Sequence, residues 1–279
     1  MRTRIIVGWA LALAASAILI VDGWFAPWFP FLFVCMMAVG VIATRELVRL
    51  FPAAMRPDER VAICGMCLIL ASNFASAALP SVDFGSRLIV VLVAVFLIAF
   101  LIEMLRFREP GQAVPRLALT IFAFVYIGVL GSFIAQLRWL GDPVHTGYML
   151  AATIFVPKWC DIGAFFTGTF FGRTKMTPHL SPKKTWEGLA GGLILAMIGA
   201  IIVNHLSDVF KHGIVEAMAF GLTMGVVGVL GDLAESLIKR DRQTKDAAQS
   251  IPGFGGLLDV VDSILFAAPV AYIWFSLNA

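Results

Sequence analysis

The chain has 279 residues, 60% of them hydrophobic and only 14% charged, with a mean hydropathy of +0.91. A water-soluble fold cannot hide that much apolar surface, so the composition excludes a soluble enzyme or binding module and points to an all-α, polytopic membrane protein. The net charge of +3 is small; no nucleic-acid partner is expected, and where the charges fall says more than their sum.

Runs of about 17 to 25 apolar residues suit one crossing each. They fall near residues 5–22, 28–44, 61–79, 88–105, 117–137, 148–168, 188–204, 214–233 and 257–275. That is about nine transmembrane helices, an odd number that sets the termini on opposite sides. The first run, behind Arg2 and Arg4, passes small residues at Ala15-Ser16-Ala17 but stays apolar through Ile18 to Val21, which reads as an uncleaved anchor.

Basic residues test the count, because cytoplasmic loops collect them. With the N-terminus cytoplasmic, that side holds Arg2, Arg4, Arg45, Arg49, Arg56, Arg60, Arg106, Arg108, Arg116, Arg173, Lys175, Lys183, Lys184, Lys239, Arg240, Arg242 and Lys245. Only Arg87, Arg138 and Lys211 fall outside, and Lys158 lies within a span. The expected division is a scaffold of lipid-facing helices over 1–145 and a catalytic region over 146–279, with cytoplasmic loops 169–187 and 234–256. Cys64 and Cys67 form a CxxC without a second pair or a nearby His, and all four cysteines read as buried small hydrophobes.

The chemistry concentrates in the second half. Ser181, Lys183, Lys184 and Thr185 set hydroxyl and ammonium groups at the start of a helix expected near Thr185. A helix N-terminus favours phosphate through its free N–H groups and dipole; a loop anchored to anionic lipid would use the same lysines. Asp161, Asp232, Asp259 and Asp262 lie toward the cytoplasmic ends of their helices. Asp259 and Asp262 share one helix face, as do Lys158 and Asp161. Carboxylates of this kind, with phosphate oxygens, hold Mg2+; pairing with Lys or Arg to fasten helices is the plainer reading. Between the last two runs lie Ser236, Lys239, Arg240, Asp241, Arg242, Lys245 and Asp246, then Gly253, Gly255 and Gly256, where backbone can approach a ligand closely.

Ser236-Leu237-Ile238-Lys239-Arg240, then Lys245-Asp246, then Ile251-Pro252-Gly253-Phe254-Gly255-Gly256-Leu257-Leu258-Asp259-Val260-Val261-Asp262 closely resembles the signature of the phosphatidate cytidylyltransferases, or CDP-diacylglycerol synthases. Asp161-Ile162-Gly163-Ala164-Phe165 and Ser181-Pro182-Lys183-Lys184-Thr185-Trp186-Glu187-Gly188 resemble two further blocks of that family. The resemblance implies a bacterial-type inner-membrane enzyme of phospholipid synthesis, its active site facing the cytoplasm. It would convert CTP and phosphatidate into CDP-diacylglycerol and pyrophosphate with Mg2+; a second cation and a homodimer are left open. It implies catalytic roles for Lys239, Arg240, Lys245, Asp246, Asp259 and Asp262. Substrate contacts fall to Asp161, Ser181, Lys183, Lys184, Thr185, Ser236, Gly253, Gly255 and Gly256, and metal contacts to Asp232, Asp259 and Asp262. The chain departs from the family in carrying Phe254 for a usual His and Val260 for a usual Arg, and Ile162 and Phe165 for a hydroxyl residue and Tyr. A CTP-using lipid-alcohol kinase is a related alternative, and a transporter of anionic solutes is one of another class.

Overall fold

The computed structural model describes residues 2–77, 83–244, 248, 250–251 and 255–278. Lys245, Asp246 and Gly253, three of the expected site residues, and Phe254 lie outside the described residues. In chain order the elements are α1 (Arg2–Asp22), α2 (Pro30–Leu50), α3 (Glu59–Phe74), α4 (Phe84–Arg106), α5 (Ala113–Ala123), a π turn over Phe124–Val129, α6 (Leu130–Gln136) and α7 (Pro143–Phe171). Then follow β1 (Lys175–Thr177), β2 (Ser181–Thr185), α8 (Trp186–Ser207), α9 (Gly213–Asp241) and α10 (Leu258–Asn278).

Polar side chains at the interfacial ends fix where several helices begin. The first N–H groups of a helix have no intrahelical acceptor, and a carboxylate or hydroxyl one residue ahead supplies it. Asp58 accepts from Val61 N–H at 3.0 Å, Asp83 from Ser86 at 2.8 Å and Asp142 from Val144 at 3.0 Å, with Pro143 opening α7. Thr185 Oγ1 accepts from Gly188 N–H at 3.1 Å, which starts α8 where the sequence reading sets it.

Eight stretches among the described residues are long and apolar enough to cross a membrane: Ile6–Phe25, Pro30–Leu50, Phe84–Arg106, Ala113–Trp139, Pro143–Phe171, Trp186–Ser207, Gly213–Asp241 and Leu258–Leu277. They match eight of the nine expected spans, and the protein is an all-α polytopic membrane protein. The ninth, expected over 61–79, is α3. Its 16 residues rise about 24 Å, short of a hydrocarbon core of about 30 Å. The 3₁₀ turn Ala75–Ala77 follows it and adds about 6 Å.

The helices form two units, one over Met1–Trp139 with Asp246–Leu258 and one over Leu140–Lys245 with Asp259–Ala279. In the first, Ala62, Met66 and Ile69 of α3 are fully buried. Asn73 at the end of α3 donates to Ser132 Oγ at 2.8 Å and accepts from Gln136 Nε2 at 3.0 Å, so these three buried polar side chains pair with one another. Arg138 is 1% exposed, its guanidinium 4.7 Å from the Phe29 ring centroid. Glu46, also buried, accepts the N–H groups of Leu257 and Leu258 at 3.0 and 2.8 Å. Of the cysteines, Cys160 is buried, whereas Cys64 is exposed on α3, contrary to the expectation for it.

The second unit is held by close backbone approach. With little hydrophobic force between helices in lipid, small residues that let backbones touch supply the packing. A Cβ on Gly163 of α7 would lie 2.8 Å from the carbonyl oxygen of Gly191 on α8. One on Gly231 of α9 would lie 2.6 Å from the carbonyl oxygen of Asp262 on α10, and one on Gly228, a turn earlier, 2.9 Å from Pro157 Cβ on α7. Thus α7, α9 and α10 converge at the level of their acidic residues. Gly231→Ala is expected to push α10 off α9 and lower the thermal unfolding midpoint of the detergent-purified protein, by the equivalent of about 1–3 kcal/mol; an unchanged midpoint would show that the contact yields without strain.

Candidate active site

The hairpin β1–β2 pairs Lys175 with Thr185 and Thr177 with Ser181, and delivers the chain into α8. Glu187, in the first turn of α8, accepts the N–H groups of Arg173 and Thr174 at 3.1 Å each and closes the hairpin's base. On β2, Lys183 is exposed and Lys184 turns inward, its Nζ 2.8 Å from Asp232 Oδ2 on α9 and 3.5 Å from the Val229 carbonyl. Thr185 is buried and its hydroxyl serves as the α8 cap. Ser181 is half-buried, its carbonyl accepting from Thr177 Oγ1 at 3.5 Å.

The last turns of α9 carry Asp232, Glu235, Ser236 and Lys239 toward the hairpin and α10. Lys239, 7% exposed, lies between two carboxylates, 2.6 Å from Glu235 Oε2 and 2.5 Å from Asp259 Oδ1. Ser236 Oγ donates to Asp232 Oδ1 at 3.4 Å. Asp262, one turn along α10 from Asp259, is 3% exposed and accepts its neighbour Ser263 N–H at 2.6 Å. Carboxylate oxygens of Asp232, Glu235 and Asp262 all lie within 4.8 Å of one another. Lys158 of α7 completes the cluster, its Nζ 3.3 Å from Asp161 Oδ2 and 3.7 Å from Asp262 Oδ1.

Of the expected residues, the second unit therefore gathers Asp161, Lys184, Asp232, Ser236, Lys239, Asp259 and Asp262. Arg240 is exposed and donates to the carbonyls of Leu180 and Thr244, each at 3.2 Å, which ties the hairpin turn to the end of α9. Gly255 and Gly256 belong to the first unit, where Gly255 has φ of 101° and bridges to Ile251. Two members were not in the expected set. Glu235 stands four residues before Lys239 and three after Asp232, a spacing that would have placed it on the same helix face. Lys158 was recognised as a neighbour of Asp161, but its reach to Asp262 crosses from α7 to α10.

Three carboxylates this close repel one another unless cations intervene. Glu235 is 1% exposed and its Oε1 has no hydrogen-bond partner. Burying a carboxylate oxygen without a donor is costly, and a hard divalent cation suits oxygen ligands of this kind. Within the described cluster, the five carboxylates of Asp161, Asp232, Glu235, Asp259 and Asp262 face the three ammonium groups of Lys158, Lys184 and Lys239.

The fold and cluster define a helical membrane protein whose interior concentrates acidic and ammonium groups at one place. Residues 2–278 match the model of the cytidylyltransferase family, and the chain belongs to that family. It is 39% identical to a phosphatidate cytidylyltransferase of Haemophilus influenzae over 163 residues, an alignment that spans 56% of either chain. Over nearly full length it is 29% identical to the phosphatidate cytidylyltransferase of Bacillus subtilis, covering 99% of this chain and 98% of that one. It is 30% identical to that of Mycobacterium bovis, covering 99% and 89%.

Lys239→Met is expected to take away the ammonium that Glu235 and Asp259 share. Breaking a buried pair on one side costs about 3–5 kcal/mol, so the variant should unfold at a markedly lower temperature in detergent. A midpoint equal to that of the unaltered protein would remove Lys239 from the structural core of the site.

Proposed function

We infer that this chain is a phosphatidate cytidylyltransferase, converting CTP and phosphatidate into CDP-diacylglycerol and pyrophosphate for phospholipid synthesis. The family match across residues 2–278 carries this reading, and the relatives so named support it. A phosphate oxygen of phosphatidate attacks the α-phosphorus of CTP; the bond to the bridging oxygen of the β-phosphate breaks, and pyrophosphate departs with its electron pair. The phosphomonoester, with a second pKa near ~6, is largely dianionic at neutral pH and hardly needs a general base. Phe254 in place of a usual His is compatible with that chemistry.

What the reaction demands is positive charge where two polyanions meet. Asp232, Glu235 and Asp262 would hold Mg2+, which when bound screens the phosphate oxygens of the nucleotide. Glu235 thus joins Asp232 and Asp262 in the set, while Asp259 holds the ammonium of Lys239. Lys184 and Lys239 neutralise phosphate charge from fixed positions, since each is already oriented by a carboxylate. Exposed Lys183 meets the incoming phosphates first. Arg240 holds the hairpin turn through Leu180 and so positions both β2 lysines. Asp161 orients Lys158. Lys245, Asp246 and Gly253 remain candidates on the resemblance alone, as do Gly255 and Gly256.

The protein is integral to the membrane, and we take it to cross a bacterial-type inner membrane nine times, α3 included, with the N-terminus and the active site on the cytoplasmic side. The distribution of Arg and Lys supports that orientation.

The test is incubation of the purified protein with phosphatidate, labelled CTP and Mg2+. Labelled CDP-lipid is expected, together with a loss of more than about 100-fold in Asp262→Asn, since altering a residue that only stands behind a metal ligand costs about 10–100-fold. No labelled lipid from the unaltered protein would overturn the function, and full activity of Asp262→Asn would overturn the metal set. A labelled phosphorylated alcohol in place of CDP-lipid would make it a kinase.

A further inference from the structure

A groove of about 630 Å³ runs down the outer side of the α7–α8 pair, lined by Gly163 and Thr167 of α7 and by Glu187, Ala190, Ile194 and Ile198 of α8. Ala190, Ile194 and Ile198 are exposed, so the groove opens onto whatever surrounds the helices. At about 100° per residue, Thr167 stands about 180° around α7 from Lys158, and Gly163 about 160° from Asp161. The groove therefore lies on the side of α7 turned away from the acidic cluster, and a molecule seated in it is not placed to react there.

Its dimensions suit an acyl chain in one leaflet. Glu187 and Ile198 are about 16 Å apart along α8, against about 15 Å for half of a hydrocarbon core of about 30 Å. The Glu187 end lies at the level of the head groups, since exposed Phe170, Phe171 and Trp186 stand at the adjoining ends of α7 and α8. There the Glu187 carboxylate is taken up by the N–H groups of Arg173 and Thr174, which fixes the root of the Arg173 side chain at the head of the groove. Lys175 pairs across the hairpin with Thr185, just ahead of α8. Both side chains are exposed, and neither has an ion pair or side-chain hydrogen bond among the described residues.

We propose that this groove seats a resident anionic phospholipid of the bilayer, a phosphodiester that is not the substrate. One acyl chain lies along Ala190, Ile194 and Ile198, and the phosphate meets Arg173 and Lys175. Charge complementarity selects this occupant. Unpaired Lys and Arg near the membrane surface draw anionic head groups within a Debye length. A zwitterionic lipid fills the groove but brings the two cations no net charge, and an apolar helix of a second copy brings no anion to its head. The bound phosphate and Glu187 then hold the base of the hairpin between them, and that hairpin carries Lys183 and Lys184.

The experiment titrates the detergent-purified full chain with phosphatidylglycerol or phosphatidylcholine and counts bound lipid by native mass spectrometry. The unaltered protein is expected to hold one phosphatidylglycerol per chain at a concentration about tenfold or more below that needed for phosphatidylcholine, as two cations beside an anionic head group imply. Arg173→Gln/Lys175→Gln should abolish the preference and keep the weaker binding. Ala190→Trp, which plugs the groove from an exposed position, should lose both. Equal binding of the two lipids by the unaltered protein, or a preference that survives either variant, would overturn the proposal. So would a dimer that Ala190→Trp takes apart, which would give the groove to a second copy of the chain. A raised KM for phosphatidate in Ala190→Trp with kcat unchanged would make the groove the substrate's own seat, and would overturn it as well. Should Ala190→Trp fail to elute as folded protein, Ile194→Trp, also exposed, takes its place.

Discussion

An ion pair in a medium of low dielectric constant ties the functional region together. Lys239 is nearly buried between Glu235 and Asp259, on α9 and α10. Withdrawing such charges from water is expensive, and their attraction repays the expense only where geometry is tight and each group has its partners. That condition explains why the surrounding helices are lined with glycine. Gly228 and Gly231 let α7 and α10 approach α9 closely enough for ammonium and carboxylate groups on different helices to meet. A bulkier interface would separate the charges and leave each with its full desolvation cost.

The same condition sorts the residues by function. Lys184 and Lys239 are each oriented by a carboxylate, so little rotamer freedom remains to be lost when phosphate arrives. Arg240 donates to neutral carbonyls at the turn of the hairpin and the end of α9. Its bonds have directional strength without consuming a negative charge, which suits a residue that fixes the place of others.

Much of this was legible in the sequence because it is local. Hydropathy found the helices, and the threonine ahead of Trp186 marked the start of α8. Span 61–79 was the exception: α3 is shorter than its apolar run suggested, since helical geometry gives way to a tighter turn at Ala75. The hairpin was not foreseen, because β1 and β2 are short and show little alternation of polar and apolar residues, which leaves their pairing to the loop between them. Three-residue spacing correctly put Asp259 and Asp262 on one helix. Such residues still differ by about 60° around the axis and 4.5 Å along it, enough to send Asp259 to Lys239 and Asp262 toward Asp232 and Glu235. Which neighbour each meets depends on how the helices pack, and no spacing rule contains that.

The glycine contacts between α7 and α8 have a mechanical side as well. With Gly163 of α7 against the Gly191 carbonyl, and Gly188 of α8 in turn against the Ala164 carbonyl, neither helix can slide along the other without driving backbone into backbone. The two therefore move as one stiff lever. Room for a ligand at the acidic cluster cannot open between α7 and α8, and has to be made elsewhere around it.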